Sequence, residues 1–165
     1  MRKIVIIPSK TPAIPRPLVN YFKEAGWELY VMDGCSSIFE AYKQGIEKAK
    51  VSAKDYVIVC HDDIHILTNP EDFNSIIEGF LQKNKIGFVG VAGTKIFQES
   101  CIWWDGMQHL GQRHLSGSVY HGTTLMDKST LYGATGRVVA LDGVFLACKG
   151  STLLTIKLEK PDDFT

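Results

Sequence analysis

The sequence predicts an α/β fold with a mainly parallel central sheet and helices on both faces. Three observations carry that prediction. Apolar, β-branched runs of strand length alternate with stretches of helical periodicity, in the order β-α-β-α-β-α-β up to residue 92. The apolar run Tyr56 to Cys60 ends abruptly in His61-Asp62-Asp63, and open α/β sheets carry their ligands at such carboxyl ends of strands. At 165 residues, with 45% hydrophobic and 22% charged, the chain has the size and composition of one globular domain, read here as spanning 1–165.

Lys3 to Ile7 is a β-branched run stopped by Pro8, the pattern of a central strand entering a loop. Pro12, Pro15 and Pro17 keep that loop extended. Pro17 suits the first turn of a helix, where a missing N–H costs nothing. Leu18, Phe22 and Ala25 then share a helical face, and Gly26 supplies the stop. Trp27 to Met32 reads as the second strand, ending at Asp33-Gly34. Ser37 and Glu40 have capping-box spacing, and Ile38, Ala41, Tyr42, Gly45, Ile46 and Ala49 recur on one side of the helix they open. Past the Tyr56 to Cys60 strand, Asn69-Pro70 opens a third helix with Phe73, Ile76, Ile77, Phe80 and Leu81 on one side. Ile86 to Ala92 is a fourth strand, where Gly87, Gly90 and Gly93 allow close backbone approach. From Thr94 the helical period fades, and glycine, histidine and aromatic residues accumulate to residue 136. Val138 to Cys148 is strand-like again, broken at Asp142-Gly143. The second half is expected to form shorter strands and loops packed on the end of the parallel sheet.

Charge narrows the classes of partner. Eighteen basic and eighteen acidic residues cancel, so no overall field favours nucleic acid or an anionic membrane. No apolar stretch reaches the length of a membrane span, and the start runs into a strand without a signal-peptide pattern, so a cytoplasmic location is expected. Cys35, Cys60, Cys101 and Cys148 are widely spaced with no C-x-x-C pair, which fits reduced thiols better than zinc or disulfides.

Three loops should meet at one rim of the sheet: Pro8 to Lys10, the loop holding Asp33, and His61 to Asp63. Adjacent acids at a buried strand end call for a positive partner such as a divalent cation. Asp33 can accept hydrogen bonds from a base or ribose, although a turn residue before Gly34 is the simpler account of it alone. On an extended chain neighbouring side chains point opposite ways, while His61 and Asp63, two apart, share a side. Asp63 with His61 is therefore the expected ligand pair, leaving Asp62 for the sugar or for supporting the metal ligands from behind. The His-Asp pair also occurs in metal-dependent phosphohydrolases, but the further His and Asp ligands those need have no counterpart at helical spacing. Trp103, Trp104, His109, His114, Tyr120 and His121 cluster in sequence, and sugar rings stack on such aromatics. A hydrophobic flap is the competing account of at least one tryptophan. A three-histidine zinc site has the wrong spacing.

In sequence order, Ile6-Ile7-Pro8, Val31-Met32-Asp33-Gly34 with Ser36, Glu40-Ala41-Tyr42 with Gly45-Ile46, and Val59-Cys60-His61-Asp62-Asp63-Ile64 form a set. Gly87-Phe88-Val89-Gly90-Val91-Ala92-Gly93 and Leu141-Asp142-Gly143-Val144-Phe145-Leu146-Ala147 complete it. The set resembles family 2-like glycosyltransferases, and is most similar to their small StrF-related branch. The resemblance implies a Rossmann-like GT-A nucleotide-diphospho-sugar transferase fold. It implies that Pro8 and Asp33 lie against the nucleoside, and that Asp63 coordinates Mn2+ or Mg2+ on the diphosphate. His61 stands where the family has the first acid of an Asp-x-Asp-type motif, and histidine can ligate Mn2+. Asp142-Gly143 would lie toward the acceptor, with Asp142 the internal candidate for a catalytic base, although an Asp-Gly turn explains the pair more simply.

The family's usual base lies in an acidic, aromatic-rich motif downstream, whereas this chain reads Lys160-Pro161-Asp162-Asp163-Phe164-Thr165 at its end. Three expectations follow: truncation before that motif, a homo-oligomer in which another subunit supplies the base, or donor binding without transfer. The expected function is metal-dependent, inverting transfer of a sugar from a nucleotide-diphospho-sugar to a saccharide or other hydroxyl acceptor. The alternative is a non-catalytic nucleotide-sugar binder. A nucleotidyltransferase ranks third, because Pro8-Ser9-Lys10-Thr11-Pro12 lacks the glycines of a phosphate loop.

Overall fold

The computed structural model describes residues 1–11, 13–83, 85–97, 99–100, 102–105, 112–122 and 129–158. The chain forms two compact units, residues 1–89 with 147–165, and residues 90–146.

The first unit is built on three strands, β1 (Lys3–Pro8), β2 (Glu28–Met32) and β3 (Tyr56–Cys60). β1 runs parallel to both others, with Pro8 level with Met32 and Ile6 level with Val59. Ile4 to Ile7 and all five residues of β3 are buried, as expected of continuous apolar runs covered on both sides. β2 is half-exposed because it is the sheet's edge strand. The full sheet has the order β2-β1-β3-β9-β4, where β4 is Phe88–Gly90 and β9 is Phe145–Lys149. β9 thus lies between two strands that follow each other in sequence, a placement that no local pattern predicts.

Three helices pack on this sheet. α1 (Arg16–Glu24) starts with proline in its first turn and ends at Gly26, whose φ of 76° is the left-handed stop. It buries Leu18 and Phe22. Phe22, Trp27 and Phe73 meet edge to face at 6.2–6.5 Å, and the Trp27 indole N–H donates to Asn74 Oδ1 at 2.8 Å. α2 (Ile38–Ala49) is capped by Ser37, whose hydroxyl accepts the Glu40 N–H at 3.1 Å. Its buried Gly45 faces Ile6, and a Cβ there would stand 2.4 Å from Ile6 Cγ2. α3 (Pro70–Leu81) is capped by Asn69 and buries Phe73, Ile77 and Leu81. Ile76, expected on the inner side, is exposed. α4 (Gly150–Leu153) is a single turn after β9.

At the N-terminal ends of the strands, Asp55 is buried with its carboxylate fully engaged. Oδ1 accepts the Arg2 N–H at 3.0 Å, and Oδ2 accepts the Arg2 guanidinium at 2.9 Å and the Ser52 N–H at 3.0 Å. Burial opposes its charge, but these donors win and hold the carboxyl well below the usual carboxylate range.

The second unit contains an antiparallel sheet of β5 (Ala92–Thr94), β6 (Leu115–Tyr120), β7 (Ser129–Gly133) and β8 (Ala140–Leu141), in the order β7-β6-β5-β8. Ala92, Trp103 and Leu115 form its core with Val119, Tyr132 and Ala140. A bulge at Gly117 (φ 100°) lets β6 approach Val91, where a Cβ would meet the carbonyl oxygen at 2.0 Å.

These sheets correct the expectation of a mainly parallel architecture: the fold is mixed α/β. Parallel pairing links β2, β1 and β3, whose connections carry crossover helices. The pairs of the second sheet are antiparallel, an arrangement that needs no crossover, and they fall where helical periodicity fades. The expected fourth strand over 86–92 is two elements. β4 ends at Gly90, Val91 is exposed, and β5 begins at Ala92 in the other sheet. No helix among the described residues is long and apolar enough to cross a membrane.

Candidate functional site

Parallel pairing places the carboxyl ends of β1, β2 and β3 side by side, and with them three loops. Pro8 is level with Met32, so Asp33 lies one residue beyond Pro8. Continuing the β1–β3 register sets Pro8 level with His61. The Ser9 N–H donates to the Met32 carbonyl at 2.9 Å, tying the first loop to the end of β2. The Ser9 hydroxyl donates to Asp62 Oδ2 at 2.5 Å, tying the first loop to the third. Pro8, Asp33, His61, Asp62 and Asp63 are therefore gathered in one unit at one rim.

The rim's acids differ in how they are used. Asp62 is half-buried and tethered, whereas Asp33, His61 and Asp63 are exposed, and no hydrogen bond or ion pair engages their side chains among the described residues. β3 ends at Cys60, and Asp62 and Asp63 lie in a turn. The two-residue alternation used to pair His61 with Asp63 stops at Cys60, and the Ser9 bond is what distinguishes the two acids. Burial pushes the Cys60 thiol well above its ordinary value, so this cysteine is a neutral core group. Beside the rim, the Ser36 hydroxyl (2.6 Å) and N–H (2.7 Å) donate to Glu40 and hold its carboxyl below the usual range. This charge belongs to the cap of α2.

The donor set can be tested against the cation that the acids call for. Among the described residues no three His, Cys, Asp or Glu side chains are arranged to hold a metal by themselves. No described residue bonds to the side chains of His61 and Asp63, and Asp62 has one oxygen committed to Ser9. Two protein donors plus ligand phosphate oxygens and water is a coordination Mg2+ commonly adopts, and imidazole extends the fit to Mn2+.

The remaining sequence-derived residues fall in the second unit. Asp142 follows β8, and its Oδ1 accepts the Val144 N–H at 2.8 Å, the hydrogen bond of an Asx turn. Trp103 is 8% exposed and packs edge-on against Tyr132 at 5.0 Å. Trp104 is 53% exposed. His109 lies outside the described residues, as do Asp162 and Asp163. Sequence reasoning missed Ser9. A serine inside a proline-rich loop looks like a turn residue, and its link to Asp62 spans 53 positions, so no local signal announces it.

Open α/β sheets bind their ligands outside the carboxyl ends of the strands, and that is where this unit gathers its acids. Comparison with known families narrows the class. The model of a glycosyltransferase-like family matches residues 20–155, most of the chain, and the protein belongs to that family. No curated protein is similar enough to count as a match.

Proposed function

We propose that this glycosyltransferase-like protein binds a nucleotide-diphospho-sugar at the rim of its first unit and transfers the sugar, with inversion, to a saccharide or other hydroxyl acceptor. The observation that carries this reading is the division of labour at the strand ends. Asp62 is held by Ser9, while the side chains of Asp33, His61 and Asp63 have no hydrogen bond or ion pair among the described residues. Exposed charges left open beside a buried strand suit a ligand that brings its own phosphates. Asp33, Asp62 and Pro8 would face the nucleoside, and His61 and Asp63 would hold Mn2+ or Mg2+. The ion, when bound, neutralises charge on the diphosphate. The acceptor oxygen bonds to the anomeric carbon as the bond from that carbon to the diphosphate oxygen breaks. The electron pair leaves with the nucleoside diphosphate, and the acceptor proton passes to a carboxylate, for which Asp142 is the internal candidate. The proposed acceptor contacts are exposed Trp104, suited to stacking on a sugar ring, and His109, with core Trp103 packed edge-on against Trp104 at 5.6 Å. Within the family, the ordered motifs point to the small StrF-related branch.

A second reading, donor binding without transfer, is favoured by the Asp142 turn, because one carboxylate oxygen already serves Val144. Calorimetry with UDP, GDP and dTDP in Mn2+ tests the shared first step. One of the three should bind, and Asp63→Ala should abolish that binding. Silence across all three would sink both readings. Where binding is found, Asp142→Asn should stop sugar transfer and spare donor affinity if Asp142 is the base.

A further inference from the structure

Ser9 lies before the residues matched to the family, yet its side chain ties the first loop of the rim to the third while its backbone ties that loop to the end of β2. Its N–H is fixed by the Met32 carbonyl at 2.9 Å, one residue before Asp33. Its hydroxyl proton goes to Asp62 Oδ2 at 2.5 Å, and its oxygen accepts the Thr11 N–H at 3.3 Å. A hydroxyl carries a single proton, so Ser9 cannot also donate to a ligand while it holds Asp62. The bond leaves Asp62 Oδ1 as that carboxylate's open acceptor and fixes the carboxylate's rotation.

We infer that Ser9 is a positioning residue that commits Asp62 to the hydroxyls of the donor's nucleoside and leaves the metal to Asp63. This deepens the proposed nucleotide-sugar reading and rests on it. Without the tether, the Asp62 carboxylate would sample several orientations, and ordering it on a nucleoside hydroxyl would cost part of the affinity. A fixed carboxylate aimed by Ser9 meets a ribose hydroxyl at little ordering cost, which is how a preorganised group gains affinity. Ser9 touches neither ion nor sugar in this scheme and acts through Asp62.

A double-mutant cycle tests the assignment on the whole chain, using whichever of UDP, GDP and dTDP the wild type binds. Ser9→Ala should weaken that nucleotide about tenfold, the scale of one hydrogen bond to a charged group. Asp62→Asn should weaken it at least as much. The double variant should be no weaker than Asp62→Asn alone, because Ser9 acts through that carboxylate. The Mn2+ concentration giving half-maximal nucleotide binding should stay at the wild-type value in Ser9→Ala, and Ser9→Thr, which keeps the hydroxyl, should restore affinity. Ser9 is a half-buried loop residue, so chemical denaturation should show Ser9→Ala folded as stably as the wild type. If Ser9→Ala proves destabilised, the comparison of Ser9→Thr with Asp62→Asn carries the test. Additive losses, or a raised Mn2+ requirement in Ser9→Ala, would overturn the Ser9 assignment while leaving nucleotide binding in place. A wild-type chain that binds none of the three nucleotides would overturn the underlying reading as well.

Discussion

The two ends of the first unit's parallel strands use the same chemistry for opposite purposes. Before β3, Asp55 is buried, and both of its oxygens are engaged by Arg2 and Ser52. After β3, Asp63 and His61 stand exposed with no such partners among the described residues. One strand five residues long separates them. A buried carboxylate with both oxygens hydrogen-bonded to the protein serves the fold and is closed to a ligand. A carboxylate left open contributes little to the fold and is available to a ligand. Asp62 lies between these cases, with one oxygen tethered and one open.

The sharpest way to break this comparison is to remove one acid from each end. Asp63→Ala should weaken Mn2+-dependent nucleoside diphosphate binding about 100-fold or more, because few protein groups would hold the ion and each weighs heavily. Denaturation should find its unfolding free energy unchanged. Asp55→Ala should do the reverse, costing about 2–4 kcal/mol in a denaturant titration, because it removes a buried carboxylate that holds the Arg2 guanidinium and the part-buried N–H groups of Arg2 and Ser52. Smaller effects sharpen the same contrast. Gly45→Ala gains helix propensity, yet its Cβ would lie 2.4 Å from Ile6 Cγ2. A net loss of about 1–3 kcal/mol is expected there, measurable by denaturation, with nucleotide affinity preserved.

The smallest expected effect is on acid stability. The folded Asp55 carboxyl lies below its unfolded value of about 4. Its contribution is therefore complete above the unfolded value and is lost as pH falls toward the folded one. Asp55→Asn should flatten the decline in unfolding free energy between about pH 5 and 3 relative to wild type.

Much of the first unit was legible in the sequence because its signals are local. Proline marks the end of β1 and the start of α1, Ser37 and Glu40 mark the cap of α2, and Tyr56 to Cys60 declares a buried strand by composition alone. The rim follows from connectivity, since crossover helices bring successive parallel strand ends together. What was hidden is non-local. The link from Ser9 to Asp62 depends on two loops meeting, and the alternation expected at His61 to Asp63 ended where the chain turned after Cys60. The second unit was the harder half. Its strands are two to six residues long, too short for periodicity to speak, and β9 takes its place between β3 and β4 through tertiary pairing. Trp103 and Trp104 look alike in sequence, yet one is core and the other surface.

A crossed measurement on two isosteric variants tests the central claim most directly. Asp55→Asn and Asp63→Asn are each titrated with Mn2+ and the nucleoside diphosphate that the wild type binds, and each is unfolded in denaturant. The predicted result is full nucleotide affinity with lost stability for Asp55→Asn, and full stability with lost affinity for Asp63→Asn. Wild-type affinity in Asp63→Asn, or a stability loss there matching that of Asp55→Asn, would contradict the assignment of one strand end to the fold and the other to the ligand.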